Sequence, residues 1–177
     1  MTSLRFGLEP TPVGTAVIAV TDDGLVALEL TDAPPEHALE PVMQRLGLIA
    51  QHDPGAIEPV AAQLREYFAG DRTDFDIEID WGLVRGFTRA ALEAIRDVPY
   101  GETASYGEVA VAAGAPRAAR AVGTACATTP ISIVVPVHRV VRSDGSLGEY
   151  GRRPEVKRFL VDLERGAVGA ASLRVGE

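Results

Sequence analysis

A histidine and an arginine directly after an apolar run are the residues of this chain whose types and spacing could carry out chemistry. The run Ile131 to Val135 is β-branched except at one serine, and this composition predicts a short buried strand. Pro136 ends that strand, because proline has no N–H to donate to a sheet. His138 and Arg139 then follow on the turn after the strand, a common location for functional side chains. A core strand followed by an ordinary surface His-Arg pair is the alternative interpretation.

The same stretch resembles the active-site segment of the O-6-alkylguanine-DNA alkyltransferases, or methylated-DNA–protein-cysteine methyltransferases. The signature of that family is Pro-Cys-His-Arg-Val, preceded by an apolar strand and followed by a loop that contains glycine. This chain reads Pro136-Val137-His138-Arg139-Val140, so a valine stands in the place of the cysteine. A second departure is Thr129, where the family usually has an asparagine before the proline.

Further matches to the family occur in the family's order over roughly residues 87–166, and the resemblance extends over roughly residues 5–167. Besides the signature they are Phe87-Thr88, Pro99-Tyr100-Gly101-Glu102-Thr103 with Ser105-Tyr106, Ala118-Ala119-Arg120-Ala121-Val122-Gly123, the loop Asp144-Gly145-Ser146-Leu147-Gly148-Glu149-Tyr150, and Lys157 with Glu164. One such piece would be a weak signal. Six pieces in register leave little room for a chance resemblance.

The N-terminal half shows the patterns of a small domain with an antiparallel sheet. Two strand-like runs between residues 13 and 31 are joined by an Asp-Asp-Gly turn, which is a hairpin signal. Apolar residues at helical spacing predict helices over residues 36–47 and 60–68, with residues 51–59 as a polar connector. Apolar and acidic residues alternate over residues 74–80, and this alternation predicts a strand with one wet, acidic face.

The C-terminal half shows a helix-turn-helix pattern. Ser105 can cap a short helix from Tyr106 to Ala113. Pro116 stands where a further helix over residues 117–127 would begin, at the first-turn position that proline favours. That second helix is rich in alanine and glycine. Small side chains let a helix backbone approach a nucleic-acid groove closely, and they would equally let it pack tightly in a core.

These patterns and the resemblance predict an α/β (α+β) fold in two domains. Residues 1–80 would form a small N-terminal antiparallel-sheet domain, which the resemblance makes ribonuclease H-like. Residues 81–86 would be a linker. Residues 87–167 would form a helical, winged helix-turn-helix domain of the DNA-binding alkyltransferase type, and residues 168–177 a tail.

The distribution of charge separates the two halves of the chain. The net charge of −8 conflicts with the basic surface expected of a DNA-binding protein. Residues 1–84 carry 4 Arg and 15 acids, a net charge of −11, whereas residues 85–165 carry 12 Arg and Lys and 9 acids, a net charge of +3. The asymmetry indicates two domains with different roles, with a merely uneven surface as the alternative. A DNA-binding surface would then lie away from the acidic domain.

The composition argues against several other classes of protein. No stretch approaches the roughly 18 apolar residues of a membrane span, and the N-terminus lacks the pattern of a signal peptide. Cys126 is the only cysteine, so no internal disulfide can form, which suits a reducing cytoplasm. His37 and His52 have no second ligand at metal spacing, so we expect no metal site.

The resemblance implies how the protein would hold DNA. The helix-turn-helix would enter the minor groove, Arg120 would replace the flipped nucleotide in the base stack, and Tyr106 would crowd the target phosphate. The residues implied at DNA are Thr88, Ser105, Tyr106, Ala119, Arg120, Gly123 and Ser143. The residues implied around the flipped base are Tyr106, Val137, Val140, Tyr150 and Gly151. An ordinary core tyrosine and a surface arginine are the alternatives for Tyr106 and Arg120.

The resemblance also implies the chemistry that the family performs. A Glu and a His, bridged to the Cys through water, draw off its proton, and the thiolate attacks the alkyl carbon. His138 and Glu164 match that pair. Val137 occupies the acceptor position, and its side chain has no lone pair with which to bond to carbon. Cys126 is a poor substitute, because a buried structural cysteine is the better interpretation of its position.

Three functions remain compatible with these residues. The first, which we favour, is a non-catalytic DNA-binding protein that flips and recognises O-6-alkylguanine in duplex DNA without alkyl transfer. The second is an alkyltransferase represented by an inactive Cys-to-Val variant. The third is a hydrolase in which His138 and Glu164 activate a water. We expect double-stranded DNA with O-6-alkylguanine as the partner, other repair proteins as further candidates, no membrane, no cofactor and a monomer.

Overall fold

The computed structural model describes residues 1–148, 150 and 153–166. These residues form two compact units. The first unit contains residues 1–83 and 130–132, and the second contains residues 84–129 and the described residues from 133 onward. Helices and strands occur in both units, so the predicted mixed α/β class is confirmed. Gly151 and the predicted tail over residues 168–177 lie outside the described residues.

The first unit is built on a four-stranded sheet. Its strands are β1 (Leu4–Thr11), β2 (Gly14–Thr21), β3 (Gly24–Thr31) and β4 (Ala50–His52), in the order β3-β2-β1-β4. The pairs β1–β2 and β2–β3 are antiparallel, whereas the short β4 runs parallel to β1. The predicted hairpin is therefore present as β2 and β3. Strand β1 was not predicted, because glycine and proline interrupt its pattern.

Two helices belong to the first unit: α1 (Glu36–Leu46) and α2 (Pro54–Phe68). The prediction of a connector over residues 51–59 is wrong, since α2 begins at Pro54. Asp53 caps this helix by accepting a hydrogen bond of 3.1 Å from the Ala56 N–H. A Cβ atom at Gly7 of β1 would lie 2.5 Å from Cγ1 of Ile57, so only glycine lets α2 pack this closely on the sheet.

The strand predicted over residues 74–80 is also wrong. Only Ile79 pairs with the sheet, in a single parallel bridge to Leu25 of β3. The backbone of Leu25 donates to Glu78 and accepts from Asp80 over 2.9 Å in each case. Alternation of polar and apolar residues therefore marked a segment that lies along the sheet without forming a ladder. A 3₁₀ helix, Trp81–Leu83, follows it.

The second unit is mainly helical. Its helices are α3 (Gly86–Arg96), α4 (Tyr106–Ala112), α5 (Ala119–Thr128) and α6 (Pro154–Glu164), with a 3₁₀ helix at Val137–Arg139. Two short strands, β5 (Ala104–Ser105) and β6 (Val140–Val141), pair in parallel. Helix α5 packs against both α3 and α4. It begins at Ala119, so the prediction of a helix start directly after Pro116 is wrong by two residues.

The strand predicted over residues 131–135 is wrong in an informative way. Ile131 makes one parallel bridge to Leu28, but the following residues form bends. Ile133 has φ of 66°, a left-handed conformation that is strained for a β-branched residue and that breaks any strand. The side chains of Ile131, Ile133 and Val135 are all buried. The β-branched composition of this segment therefore indicated that its side chains are buried, and it did not indicate an extended backbone.

Among the described residues, no helix is long and apolar enough to span a bilayer.

Candidate functional site

The 3₁₀ helix Val137–Arg139 presents three consecutive side chains to the interior of the second unit. The Val137 N–H donates to the Val135 carbonyl over 2.8 Å, and the Arg139 N–H donates to the Pro136 carbonyl over 2.9 Å. Val137 is 2% exposed, His138 0% and Arg139 6%. The interpretation of a surface His-Arg pair is therefore wrong, because both polar side chains are buried and must find partners.

Glu164 at the end of α6 supplies most of those partners. Its Oε1 lies 2.7 Å from Nε2 of His138 and accepts a hydrogen bond of 3.0 Å from Nη2 of Arg139. Its Oε2 accepts from Nε of Arg139 over 2.9 Å, so the guanidinium binds the carboxylate in a bidentate manner. Nη1 of Arg139 donates to the Val98 carbonyl over 2.6 Å. The buried charges are thus paired with one another.

The charges of this cluster fix its protonation state. Burial by itself would raise the pKa of Glu164, but hydrogen bonds and charges from His138 and Arg139 outweigh it and lower the pKa to about 2. Burial lowers the pKa of His138, and the Glu164 carboxylate only partly offsets this effect. At neutral pH the cluster therefore contains an ionised carboxylate, a guanidinium and a neutral imidazole.

The neutral imidazole can have only one arrangement of its proton. An ionised carboxylate accepts hydrogen bonds and cannot donate them, so Nε2 of His138 must carry the proton that faces Glu164. Nδ1 is then a bare acceptor. It is buried, and it has no hydrogen-bond partner among the described residues. The two predicted catalytic residues, His138 and Glu164, are thus in direct contact, with Val137 adjacent in the chain.

Lys157 lies beside this cluster and is buried. It is 1% exposed, its Nζ donates to the Val140 carbonyl over 2.5 Å, and the same atom lies 5.9 Å from the centre of the Tyr106 ring. Burial lowers the pKa of Lys157 to about 8. Its charge in turn contributes to lowering the pKa of His138. Lys157 therefore binds the Val140 carbonyl and lies near the Tyr106 ring, and its charge acts on His138.

The pKa of Lys157 predicts a pH dependence of stability. Between pH 8 and about pH 10.4, the unfolded chain holds a proton on this lysine that the folded chain has lost, so stability rises with pH. We expect the free energy of unfolding of the wild type, relative to Lys157→Met, to rise by about 2–3 kcal/mol from pH 7 to pH 10. Urea unfolding at several pH values measures it.

The quantity to compare is the difference in the free energy of unfolding between the wild type and Lys157→Met. Burial raises the pKa of Cys126 to about 12, so the cysteine makes the folded state less stable as pH rises. The charge of Lys157 also lowers the pKa of this thiol, so both proteins carry Cys126→Ala in the comparison, which removes the contribution of the cysteine. A difference that stays flat between pH 7 and pH 10 would show that Lys157 is not buried as described.

Tyr106, one of the residues predicted around a flipped base, lies near Gly123 of α5 and Gly148. A Cβ atom at Gly123 of α5 would lie 3.9 Å from Cε1 of the tyrosine, which is ordinary contact. A Cβ atom at Gly148 would lie 3.1 Å from the tyrosine hydroxyl, and Gly148 has φ of 72°, so both space and backbone conformation favour glycine there. Val140 is fully buried and Tyr150 is half-buried.

The other residues predicted at DNA lie in four places of the second unit. Thr88 is half-buried in α3, Ala119 and Arg120 form the first turn of α5, and Ser143 lies in an exposed turn. Ser105 caps α4: its hydroxyl accepts from the Glu108 N–H over 3.1 Å, and its own N–H donates to the Glu108 carboxylate over 2.7 Å. Arg120 is exposed. Their roles at DNA stay predictions.

An open cleft of about 650 Å³ lies between the loop of residues 142–148 and α6. Among the described residues, its lining includes none of Tyr106, Val137, Val140 or Tyr150. Gly148, which lines the cleft, lies next to the Tyr106 hydroxyl, so the cleft adjoins that tyrosine. Cys126 is part of α5, and its raised pKa keeps the thiol protonated at neutral pH.

Two side chains of the cluster were missed as functional residues. Arg139 was seen only as part of the matched signature, and Lys157 only as a matched position. The structure makes Arg139 the bidentate partner of Glu164 and places its guanidinium 5.7 Å from the centre of the Tyr100 ring. The charge of these residues could have identified them, because an arginine or a lysine in an apolar stretch of sequence needs a partner once it is buried.

Two family models match this chain. They describe the ribonuclease-like domain of 6-O-methylguanine DNA methyltransferase, over residues 4–81, and its DNA binding domain, over residues 86–166. A methylated-DNA–protein-cysteine methyltransferase of Mycobacterium bovis is 48% identical over 120 residues, which are 67% of this chain and 71% of the relative. The corresponding enzyme of Mycolicibacterium paratuberculosis is 44% identical over 156 residues, which are 87% of this chain and 88% of the relative.

A solved structure agrees with these matches. It is the crystal structure of Mycobacterium tuberculosis OGT in complex with DNA, with a TM-score of 0.78 and 36% identity, over 97% of this chain and 98% of the solved chain. The sequence matches and the structural match therefore both extend over the two units. The chain belongs to the 6-O-methylguanine DNA methyltransferase family.

Proposed function

We propose that this protein binds duplex DNA, flips O-6-alkylguanine out of the base stack and holds it without accepting the alkyl group. The observation that carries the proposal is Val137. It stands at the acceptor position of the family signature, it is 2% exposed, and it precedes a buried His-Glu pair. Its methyl groups have no lone pair, so no protonation state of the cluster turns this side chain into a nucleophile.

Cys126 does not replace the acceptor in this proposal. It is the only cysteine in the sequence, and burial raises its pKa to about 12. At pH 7 the fraction of thiolate at such a pKa is about one in 10⁵, and the thiolate is the reactive form. Helix α5 therefore carries a structural thiol beside the proposed site.

Binding to DNA is supported by charge and by the shape of α5. Residues 85–165 carry a net charge of +3, although the whole chain carries −8. Arg120 is exposed on the first turn of α5, where the neighbouring residues are alanines. A long cation on a helix with small side chains suits an approach to a minor groove. A relative in the family has been crystallised with DNA.

Alkyl transfer is the second candidate, and one observation favours it. The proton-accepting pair of His138 and Glu164 is intact, with Arg139 bound to the carboxylate. A protein that only binds has no evident need for this cluster to remain complete. The codon for position 137 in the natural gene distinguishes the two candidates. A valine codon means that the valine is natural, whereas a cysteine codon means that valine has replaced the acceptor.

The lesion preference tests the proposed function. We expect a duplex with O-6-methylguanine to bind more tightly than the same duplex without the methyl group. Arg120→Ala should reduce the ratio of the two affinities by about tenfold or more, because the flipped state loses the side chain that fills the stack. Gel-shift titrations with the paired duplexes measure the ratio.

Arg117→Ala is the matched control. Arg117 is exposed and lies three residues before Arg120. The variant therefore removes the same charge at a residue that is not predicted to enter the base stack. We expect weaker binding of both duplexes with an unchanged ratio. Equal affinity of the wild type for the two duplexes contradicts the proposal, and so does the recovery of wild-type protein that carries a methyl group from the lesion.

A further inference from the structure

A cavity of about 130 Å³ lies in the first unit, between α1 and the face of the sheet that β2 and β3 form. All of its described lining residues belong to the first unit. None of them belongs to the cluster of His138 and Glu164 or to the residues predicted at DNA. What the cavity binds is therefore independent of the proposed function.

The cavity arises because small residues meet on this face of the sheet. Ala19 of β2 is directly opposite Ala27 of β3. Val17 and Glu29 form the next pair on the same face, since side chains alternate along a strand. Helix α1 adds a further alanine, Ala38, to the lining. These short side chains leave a space of the kind that protein interiors normally fill.

The floor of the cavity is apolar. Its lining there includes Ala19, Ala27, Leu39 and Val42, all of which are buried. A water in this position would need about two to four polar partners, and these side chains provide none. An apolar cavity of about 150 Å³ in a folded protein binds benzene. The floor therefore suits an apolar group of about five or six carbons.

The opening of the cavity is polar. Three of the described lining residues are exposed and mark this opening: Glu29, Pro41 and Arg45. The guanidinium of Arg45 is engaged, because its Nη2 donates to the Leu83 carbonyl. The Glu29 carboxylate has no hydrogen-bond or ion-pair partner among the described residues. The carboxylate is thus the polar group at the opening that is available to a ligand.

The charge of Glu29 is not balanced by a neighbouring cation. Burial raises the pKa of its carboxyl group, and no positive charge acts to lower that pKa. The other glutamate of the sheet, Glu9, has such a partner, because Arg65 donates to its carboxylate over 2.9 Å. A cation beside Glu29 would supply the missing charge, whereas a neutral or anionic group would not.

We infer that this cavity binds a small organic cation, with an ammonium group that pairs with Glu29 and a branched or cyclic apolar body that fills the space lined by Ala19 and Ala27. The apolar body accounts for the floor of the cavity, and the ammonium group accounts for the carboxylate at its opening. The net charge of −11 over residues 1–84 attracts cations to this part of the chain as well.

Calorimetric titration of the full chain with four probes tests the inference. The probes are isopentylammonium, isopentyl alcohol, isocaproate and methylammonium. The first three share one branched alkyl group and differ in the charge at its end, whereas methylammonium has the charge without the apolar body. We expect isopentylammonium to bind about fivefold or more tightly than isopentyl alcohol, and the other two probes to bind more weakly than the alcohol.

A charge-removing substitution tests the role of the carboxylate. Glu29→Gln keeps the shape of the side chain, so the ratio of the ammonium and alcohol affinities should fall to about one. Glu36→Gln is the matched control, because Glu36 is an exposed residue of α1 outside the cavity lining. The ratio should stay there as in the wild type. A ratio that falls equally in both variants would mean that the charge of the whole unit, and not Glu29, attracts the cation.

A cavity-filling substitution tests the location. Ala27→Val adds two methyl groups at a lining position of β3, where a β-branched residue suits the strand. We expect isopentylammonium and isopentyl alcohol each to bind about threefold or more weakly. Unchanged binding of the ammonium would place it on the acidic surface and overturn the inference. If Ala27→Val does not fold, the comparison of Glu29→Gln with Glu36→Gln decides the question.

Three results with the wild type also overturn the inference. Equal affinity for isopentylammonium and isopentyl alcohol would make the cavity an apolar space without a preference for charge. Tighter binding of isocaproate would make Arg45 the partner in place of Glu29. Failure of all four probes to bind would show that the cavity is not accessible to ligands.

Discussion

Val137→Cys is expected to turn this protein into a stoichiometric methyl acceptor. The cluster that would deprotonate the new thiol is already assembled: Glu164 is ionised, and it holds the proton of His138 on Nε2. Nδ1, which has no hydrogen-bond partner among the described residues, can receive a proton from a thiol at position 137, directly or through water. A thiolate formed in this way is a strong nucleophile towards an alkyl carbon.

Mass spectrometry of the protein after incubation with O-6-methylguanine duplex measures the transfer. We expect one methyl group per chain in Val137→Cys and none in the wild type. Val137→Ser is the matched control, because a hydroxyl fits the position but is far less acidic than a thiol. A Val137→Cys variant that binds the lesion duplex and stays unmodified would show that the His-Glu pair has lost its geometry for catalysis.

Glu164→Gln is expected to destabilise the fold by about 3–5 kcal/mol, because it leaves the buried guanidinium of Arg139 without a counter-charge. Arg139 makes two hydrogen bonds to this carboxylate, and His138 faces it as well. The amide keeps the shape of the side chain, so the loss reports charge and hydrogen bonding with little change in packing. Urea unfolding at pH 7 measures the difference.

Glu155→Gln on the same helix is the matched control. Glu155 pairs with Arg153 over 3.4 Å, but its side chain is 68% exposed. An exposed pair of this kind contributes at most about 1 kcal/mol. Similar losses in the two variants would mean that the Glu164 cluster is accessible to water and is not the buried network described above.

Periodic segments flanked by turn signals were predictable from the sequence, whereas segments whose backbone depends on tertiary contacts were not, and these include the alternating residues 74–80. The hairpin of β2 and β3 and the helix α1 have clear periods and turn signals. The run of residues 131–135 has the composition of a strand, yet Ile133 adopts φ of 66°. Side-chain composition reports burial, whereas the backbone path here is set by tertiary contacts.

The residues of the site were also predictable only in part. His138 and the valine at position 137 were identified from the family signature, and Glu164 from a further match to the family, because their positions in the chain carry that information. The roles of Arg139 and Lys157 depend on partners that lie far along the chain: Glu164 and Val98 for the arginine, and Val140 for the lysine. Sequence patterns give no direct signal of such distant pairings.

Val137 also determines how the protein would respond to an increasing load of lesions. A cysteine acceptor is consumed by its reaction, so each molecule deals with one lesion and the supply runs down with cumulative exposure. A valine leaves the molecule chemically unchanged after every encounter. Occupancy of damaged sites would then follow the concentration of free protein relative to the dissociation constant, and it would be restored as soon as the lesions are removed.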